Sequence, residues 1–252
     1  MWHLFWHSVF FDPIYNGLIF IASHMPGADV GLAIVILTII VKIVLLPLSI
    51  KAAHTQHAMR TLEPELARIK EVYKDNREEI AKRTMAAYAE AGVNPFASIV
   101  LALLQIPVVI ALYMSVYGGG GVKLPLINTP LLYSFITPAS HLSMLFLGFI
   151  NIAAKSTVLA AIAGVAQFVY GYLSLPPAAP KAEGTPSFKD DLSRSMNLQM
   201  KYAMPLIIMF VAYSATAVVA LYLVVSNLMS ILQEFVVRSR IPDRHAPLPI
   251  KK

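Results

Sequence analysis

Lys42 is the residue whose type and setting could do chemistry. It is the one charge in the run Gly31–Ile50, GLAIVILTIIVKIVLLPLSI. As a helix this run is about 30 Å long, enough to cross a bilayer. A cation inside a spanning helix costs about 2.5–3.5 kcal/mol on insertion scales, so it needs a reason to be there. Thr38 and Ser49 stand four residues before and seven after it, which puts all three on one helical face. Two readings stay open for that face. The lysine can snorkel to the nearer interface, or it can hold something anionic.

Further polar groups sit in other apolar runs: Gln105, Gln167, and a stripe of Tyr222, Ser226, Ser230 and Gln233 at i, i+4, i+8 and i+11. Facing lipid they would be expensive, so they are expected to point into a shared interior. Interhelical hydrogen bonding alone accounts for the glutamines. It accounts poorly for Lys42, for which the spans are read as offering no acidic partner. An unpaired buried cation calls for a wet cavity, and such a cavity suits a passing anionic or polar substrate. No catalytic constellation or nucleotide-binding motif accompanies it, so the chain is not expected to be an enzyme or to carry a cofactor. His3 and His7 are one turn apart without a third ligand nearby, and are read as interfacial histidines rather than a metal site. With no cysteine, thiol catalysis and disulfides are excluded.

The elements that must position these groups follow from composition. The 252 residues are 57% hydrophobic and 13% charged, with mean hydropathy +0.65. Soluble domains carry about 25% charged residues, so the class is an all-α polytopic membrane protein. Residues 1–30 mix Trp2, Phe5, Trp6, Phe10 and Phe11 with histidines and are read as an external interfacial helix, broken at Asp12-Pro13. The first span is 31–50. Residues 51–94 then alternate basic and acidic side chains, with Met59, Leu62, Leu66, Ile69 and Tyr73 as an apolar seam, a turn at Asp75-Asn76, and a second stripe of Ile80, Thr84 and Tyr88. That pattern predicts a helical hairpin in water. The second span, 95–117, contains Pro107. Gly118–Gly121 is expected to be a flexible exit into an external loop, 118–155, whose apolar Leu142–Ile152 is too short to span and is read as interfacial or re-entrant. The third span is 156–175, followed by a polar, Pro-rich loop, 176–201. The block 202–237 would be about 54 Å long as one helix, so a reversal near Tyr213–Thr216 is expected, giving spans 202–215 and 216–237. The tail, 238–252, is basic. Five spans put the 51–94 hairpin, the 176–201 loop and the tail, with nearly all the Lys and Arg, on one side. The positive-inside rule then sets the N-terminus outside and the C-terminus in the cytoplasm.

In order along the chain, GLAIVILTIIVKIVLLPLSIKAA (Gly31–Ala53), LEPELARIKEVYKD (Leu62–Asp75), YAEAGVNP (Tyr88–Pro95), LLQIPVVIALY (Leu103–Tyr113), NLQMKYAMP (Asn197–Pro205) and LYLVVSN (Leu221–Asn227) resemble the YidC/Oxa/Alb family of membrane protein insertases. The resemblance runs from about Asp12 to Arg238. It implies five spans around a hydrophilic groove, open to the cytoplasm and to lipid, in the bacterial cytoplasmic membrane. It also implies a client-binding groove with a basic residue in the first conserved span. Lys42 holds that place where arginine is usual, keeping the charge but not the planar fork. Thr38, Gln105, Gln167, Tyr222 and Ser226 would line the groove. Glu63, Pro64 and Tyr73 would belong to the cytoplasmic hairpin. Arg238, Arg240, Arg244, Lys251 and Lys252 would meet the ribosome.

The partners implied are nascent membrane-protein clients, the ribosome, a Sec-type translocon and membrane lipids, with no nucleic acid other than ribosomal RNA. The sequence departs from the family at the last turn, where Thr216 and Val218 stand for the usual Pro and Gly. It departs again before the third span, where Ala154-Lys155-Ser156 replaces an Asp-Pro pair. The large external domain of some bacterial members is not expected. The competing readings are a small-anion transporter or channel using Lys42 as its site, and a passive assembly scaffold with the hairpin as its binding module.

Overall fold

A computed structural model describes residues 2–74, 76–92, 94, 97–174 and 199–240. Asp75, most of the 176–201 loop, and Arg244, Lys251 and Lys252 lie outside the described residues, as do the side chains of Glu63, Pro64, Arg238 and Arg240. The chain is mostly helical, with one two-stranded ribbon. It divides into two compact units, Met1–Ile43 with Pro107–Glu234, and Val44–Ile106 with Phe235–Lys252.

The first unit begins with α1 (Trp2–Trp6), a π-helical turn (His7–Phe11) and α2 (Asp12–His24). The expected break at Asp12-Pro13 is not found. Asp12 keeps right-handed helical angles and its N–H reaches back to the His7 carbonyl, a five-residue step that widens the turn. Pro13 follows as the first-turn residue of α2, where its missing N–H costs least. Phe11, Tyr15, Leu18, Ile19 and Ala22 form the buried face of this segment. Asn16, 1% exposed, donates to the Leu131 carbonyl at 3.0 Å and accepts from the Tyr133 amide at 2.7 Å. The Tyr15 hydroxyl accepts from the Asn128 amide at 3.0 Å. The 118–155 loop is therefore pinned to α2 by hydrogen bonds.

Helix α3 (Val30–Val44) follows, and α4 (Leu46–Thr61) starts after a break at Leu45. The expected continuous helix to Ile50 is not found. Pro47 has no N–H, and its ring clashes with the carbonyl four residues back, so it is at home in the first turn of a new helix. Helix α7 (Ala97–Tyr117) contains Pro107 and ends on Gly118, whose φ of +101° suits glycine. The Gly119 amide bonds the Met114 carbonyl at 2.7 Å, the six-to-one closure of a helix C-cap. Gly118–Gly121, expected as a flexible exit, is thus a hydrogen-bonded helix stop.

Leu142–Ile152, expected as an interfacial or re-entrant piece, forms a short antiparallel ribbon, β1 (Leu145–Phe146) with β2 (Ile150–Asn151). Leu147 and Gly148 make its turn at positive φ. Helix α8 (Thr157–Ser174), a π-helical turn (Gln199–Ala203) with α9 (Met204–Ser214), and α10 (Ala217–Arg240) complete the described elements. The block 202–237 is broken, as its length requires: Ala215 is extended and α10 starts anew at Ala217. The first amides of α10 are satisfied by the ribbon's exit, Ala217 by the Ala154 carbonyl at 2.8 Å and Val218 by Ile152 at 3.2 Å.

In the second unit α5 (Glu63–Val72) and α6 (Arg77–Glu90) pack together. Asn76 caps α6, its side-chain oxygen accepting from the Glu79 amide at 3.0 Å. Tyr73 faces Arg83, with the guanidinium 5.2 Å from the ring centroid. Among the described residues Thr157–Ser174 and Ala217–Val236 are long and apolar enough to cross a membrane, and Val30–Val44 with Leu46–Thr55 makes a third if that broken pair is one span.

Candidate functional site

Lys42 stands on the last turn of α3, half-buried. Its Nζ donates to Ser230 Oγ on α10 at 3.3 Å, and Ser230 Oγ donates in turn to the Ser226 carbonyl one turn back at 2.9 Å. The ammonium therefore leans on a neutral hydroxyl. Among the described residues no carboxylate lies within 4 Å of it. The expectation that the spans hold no acidic residue needs correcting. Glu234 lies on α10 one turn beyond Ser230, is 5% exposed and has an interaction of its own.

Thr38 is buried, and its hydroxyl donates to the Ile34 carbonyl of its own helix at 2.7 Å. It shares a small pocket with Tyr222, between Ile14, Leu37, Val41, Val108 and Leu112. At about 10 Å³ that pocket is close to the least that admits one water. Tyr222 and Ser226 are buried on α10. Helix α8 joins this cluster through Asn227, whose side chain donates to the Ala163 carbonyl at 3.4 Å. Gln167 lies one turn further along α8 and is half-buried. Lys42, Thr38, Tyr222 and Ser226 are thus carried by two helices of one unit. Gln105 belongs to the other unit. Ser230 had been visible only as part of a stripe, yet it is the lysine's partner. The i+4 spacing from Ser226 was the signal available.

Asp29 was not singled out by sequence. It is 5% exposed and fixes where α3 begins. One oxygen accepts from the Leu32 amide at 3.0 Å, the other from the Leu147 amide in the ribbon turn at 2.8 Å. Beside it the Val30 amide bonds the Ser143 carbonyl at 3.0 Å, and the Ser143 amide bonds Ala28 at 2.9 Å. These bonds fix the start of the helix that carries Lys42. The start of α3 lies in close contact with the ribbon: a Cβ on Gly31 would stand 2.5 Å from Phe146 Cβ.

The family model for the 60Kd inner membrane protein matches residues 20–244, from within α2 into the tail. The chain belongs to that family. Among curated relatives, the membrane protein insertase YidC of Clostridium tetani is 28% identical over 221 residues, 88% of this chain and 86% of the relative. The membrane protein insertase MisCA of Bacillus subtilis is 29% identical over 245 residues, 95% of this chain and 80% of the relative. YidC of Francisella philomiragia is 29% identical over 222 residues, and there the match takes up 35% of the longer relative. The resemblance read from the motifs is therefore borne out, and the family is one of membrane protein insertases. Hairpin residue Tyr73 is half-buried against α6. The helical backbone reaches Arg238 and Arg240 as the end of α10.

Proposed function

We propose that this chain is a membrane protein insertase that receives a polar, acidic client segment at Lys42 while the client's apolar helix partitions into lipid. The observation that carries this reading is the ammonium group whose hydrogen-bond partner among the described residues is a neutral hydroxyl at 3.3 Å. Such a group retains most of its attraction for an incoming carboxylate. Release is also easy, since no bond chemistry is involved. Half-buried Gln167 offers its amide to the same segment, and buried Tyr222 and Ser226 back the site from α10. The driving force is burial of the client's apolar surface, at about 25 cal/mol per Å². The reading has five spans, with the N-terminus outside and the basic tail in the cytoplasm, as the distribution of Lys and Arg favours. The α5–α6 pair then stands in the cytoplasm to meet clients, a ribosome contacts the tail, and a Sec-type translocon is a partner for longer clients.

The test is reconstitution into liposomes with a single-span client bearing an acidic outer segment. Lys42→Ala is expected to abolish assisted insertion and Lys42→Arg to retain it. Normal insertion by Lys42→Ala overturns the reading. Flux of a small anion that depends on Lys42, without insertion, would establish the transporter reading in its place.

A further inference from the structure

Helices α8 and α9 pack antiparallel, and a lysine sits against tyrosine at each end of the pair. At one end Lys201 Nζ lies 4.3 Å from the centroid of Tyr172 and 5.9 Å from that of Tyr202. Phe168 stands 6.4 Å from Tyr172 and 6.0 Å from Tyr202, completing an aromatic floor. At the other end Lys155 Nζ lies 5.9 Å from the Tyr213 centroid. Between them Gly164 admits α9 closely, since a Cβ there would meet Met209 Cβ at 2.9 Å. No charged residue interrupts Ser156–Ser174 or Tyr202–Thr216. The axial rise from Lys155 to Tyr172 is about 25 Å, comparable to the hydrocarbon thickness of a bilayer. The two lysines therefore stand about one hydrocarbon thickness apart.

The ends differ. Lys155 is exposed and meets one ring, whereas Lys201 is half-buried, meets two, and has no carboxylate within 4 Å among the described residues. Ring faces offset part of the cation's charge and leave N–H donors directed away from them. From the cage two exposed apolar rows run along the pair, Val165 and Phe168 on α8, and Leu206 and Phe210 on α9. A cation at the head of a continuous apolar strip fits one molecule with an anionic head and a hydrocarbon tail. We propose that Lys201, Tyr172 and Tyr202 form a headgroup site for an anionic phospholipid, with its phosphate on the Lys201 ammonium and an acyl chain along the α8–α9 strip.

The full chain is purified in a neutral detergent, and lipid retention is read by native mass spectrometry, with thermal unfolding alongside. Phosphatidylglycerol is expected to be retained about fivefold over phosphatidylcholine, the gain of one basic group near an anionic surface. Glycerol 3-phosphate, the head without the tail, is expected to give no thermal shift. Lys201→Gln should erase the preference, Tyr172→Leu should weaken it while keeping the charge, and Lys201→Arg and Lys155→Gln should preserve it. Retained preference in Lys201→Gln overturns the proposal. So does equal loss in Lys155→Gln, or stabilisation by glycerol 3-phosphate alone. If Lys201→Gln does not fold, an unchanged preference in Tyr172→Leu overturns it. Lys42→Ala is expected to leave retention untouched, so this site and the client reading fail separately.

Discussion

Replacing Asp29 by alanine tests whether the ribbon holds α3 in place. The carboxylate is 5% exposed and accepts two amides, Leu32 at 3.0 Å and Leu147 at 2.8 Å. Loss of the first is loss of a helix N-cap, about 0.5–2 kcal/mol. Loss of the second strands an N–H in the ribbon turn, about 1–3 kcal/mol. The sum, about 1.5–5 kcal/mol, is about 3–20 °C in unfolding midpoint for a chain of this size. Asp29→Asn keeps one acceptor oxygen and is expected to lose about half as much. The assay is thermal unfolding in detergent at fixed scan rate, with hydrogen exchange at the Leu147 amide as the local readout. Alanine should speed that exchange and asparagine should leave either Leu32 or Leu147 protected. A midpoint shift below about 2 °C for alanine, or unchanged exchange at Leu147, refutes the reasoning.

Gly164→Leu drives a side chain into Met209 and is expected to separate α8 from α9, read as lost cross-linking between cysteines placed at Val165 and Phe210. Gly31→Ala meets Phe146 at 2.5 Å and should destabilise by about 1–3 kcal/mol as overpacking, with Phe146→Ala restoring part of the loss. Asn16→Leu fills the volume but abandons the Leu131 and Tyr133 bonds, and protease cleavage in the 118–155 loop should rise. In the hairpin, the hydrogen bond from Arg83, reinforced by the Arg83 and Lys82 charges, holds the Glu79 carboxyl below its ordinary value. Its contribution is present above the unfolded-state value and is lost as pH falls through the folded one. A carboxyl NMR titration of Glu79 should therefore have its midpoint below 4.5, the ordinary glutamate value, and move up in Arg83→Gln.

The sequence was most legible where a pattern is local. The length of 202–237 against a bilayer required a break, and Ala215 supplies it. The seam of Leu66, Ile69 and Tyr73 foretold the α5–α6 pair. Proline was read both too strongly and too weakly. Pro13 breaks nothing because the π turn before it removes the clash, while Pro47 ends α3 although the hydropathy of its surroundings runs on. The ribbon was missed because Leu142–Ile152 reads as one apolar run, and the turn signal in it is the single Gly148. Asp29 was invisible for a different reason: its partner Leu147 is 118 residues away, and no periodicity encodes that meeting. Glu234 was overlooked within an otherwise apolar span. The placement of Lys42 beside Ser230 joins helices 188 residues apart, and only the three-dimensional structure brings them together.

The ribbon's double grip has a consequence for biogenesis. Val30 waits for Ser143, and Ala217 and Val218 find Ala154 and Ile152 already made. Helix α3 therefore leaves the ribosome with its lid more than a hundred residues behind it, whereas α10 emerges onto a finished seat. This chain must itself pass through a stage in which its lysine-bearing helix is unfastened.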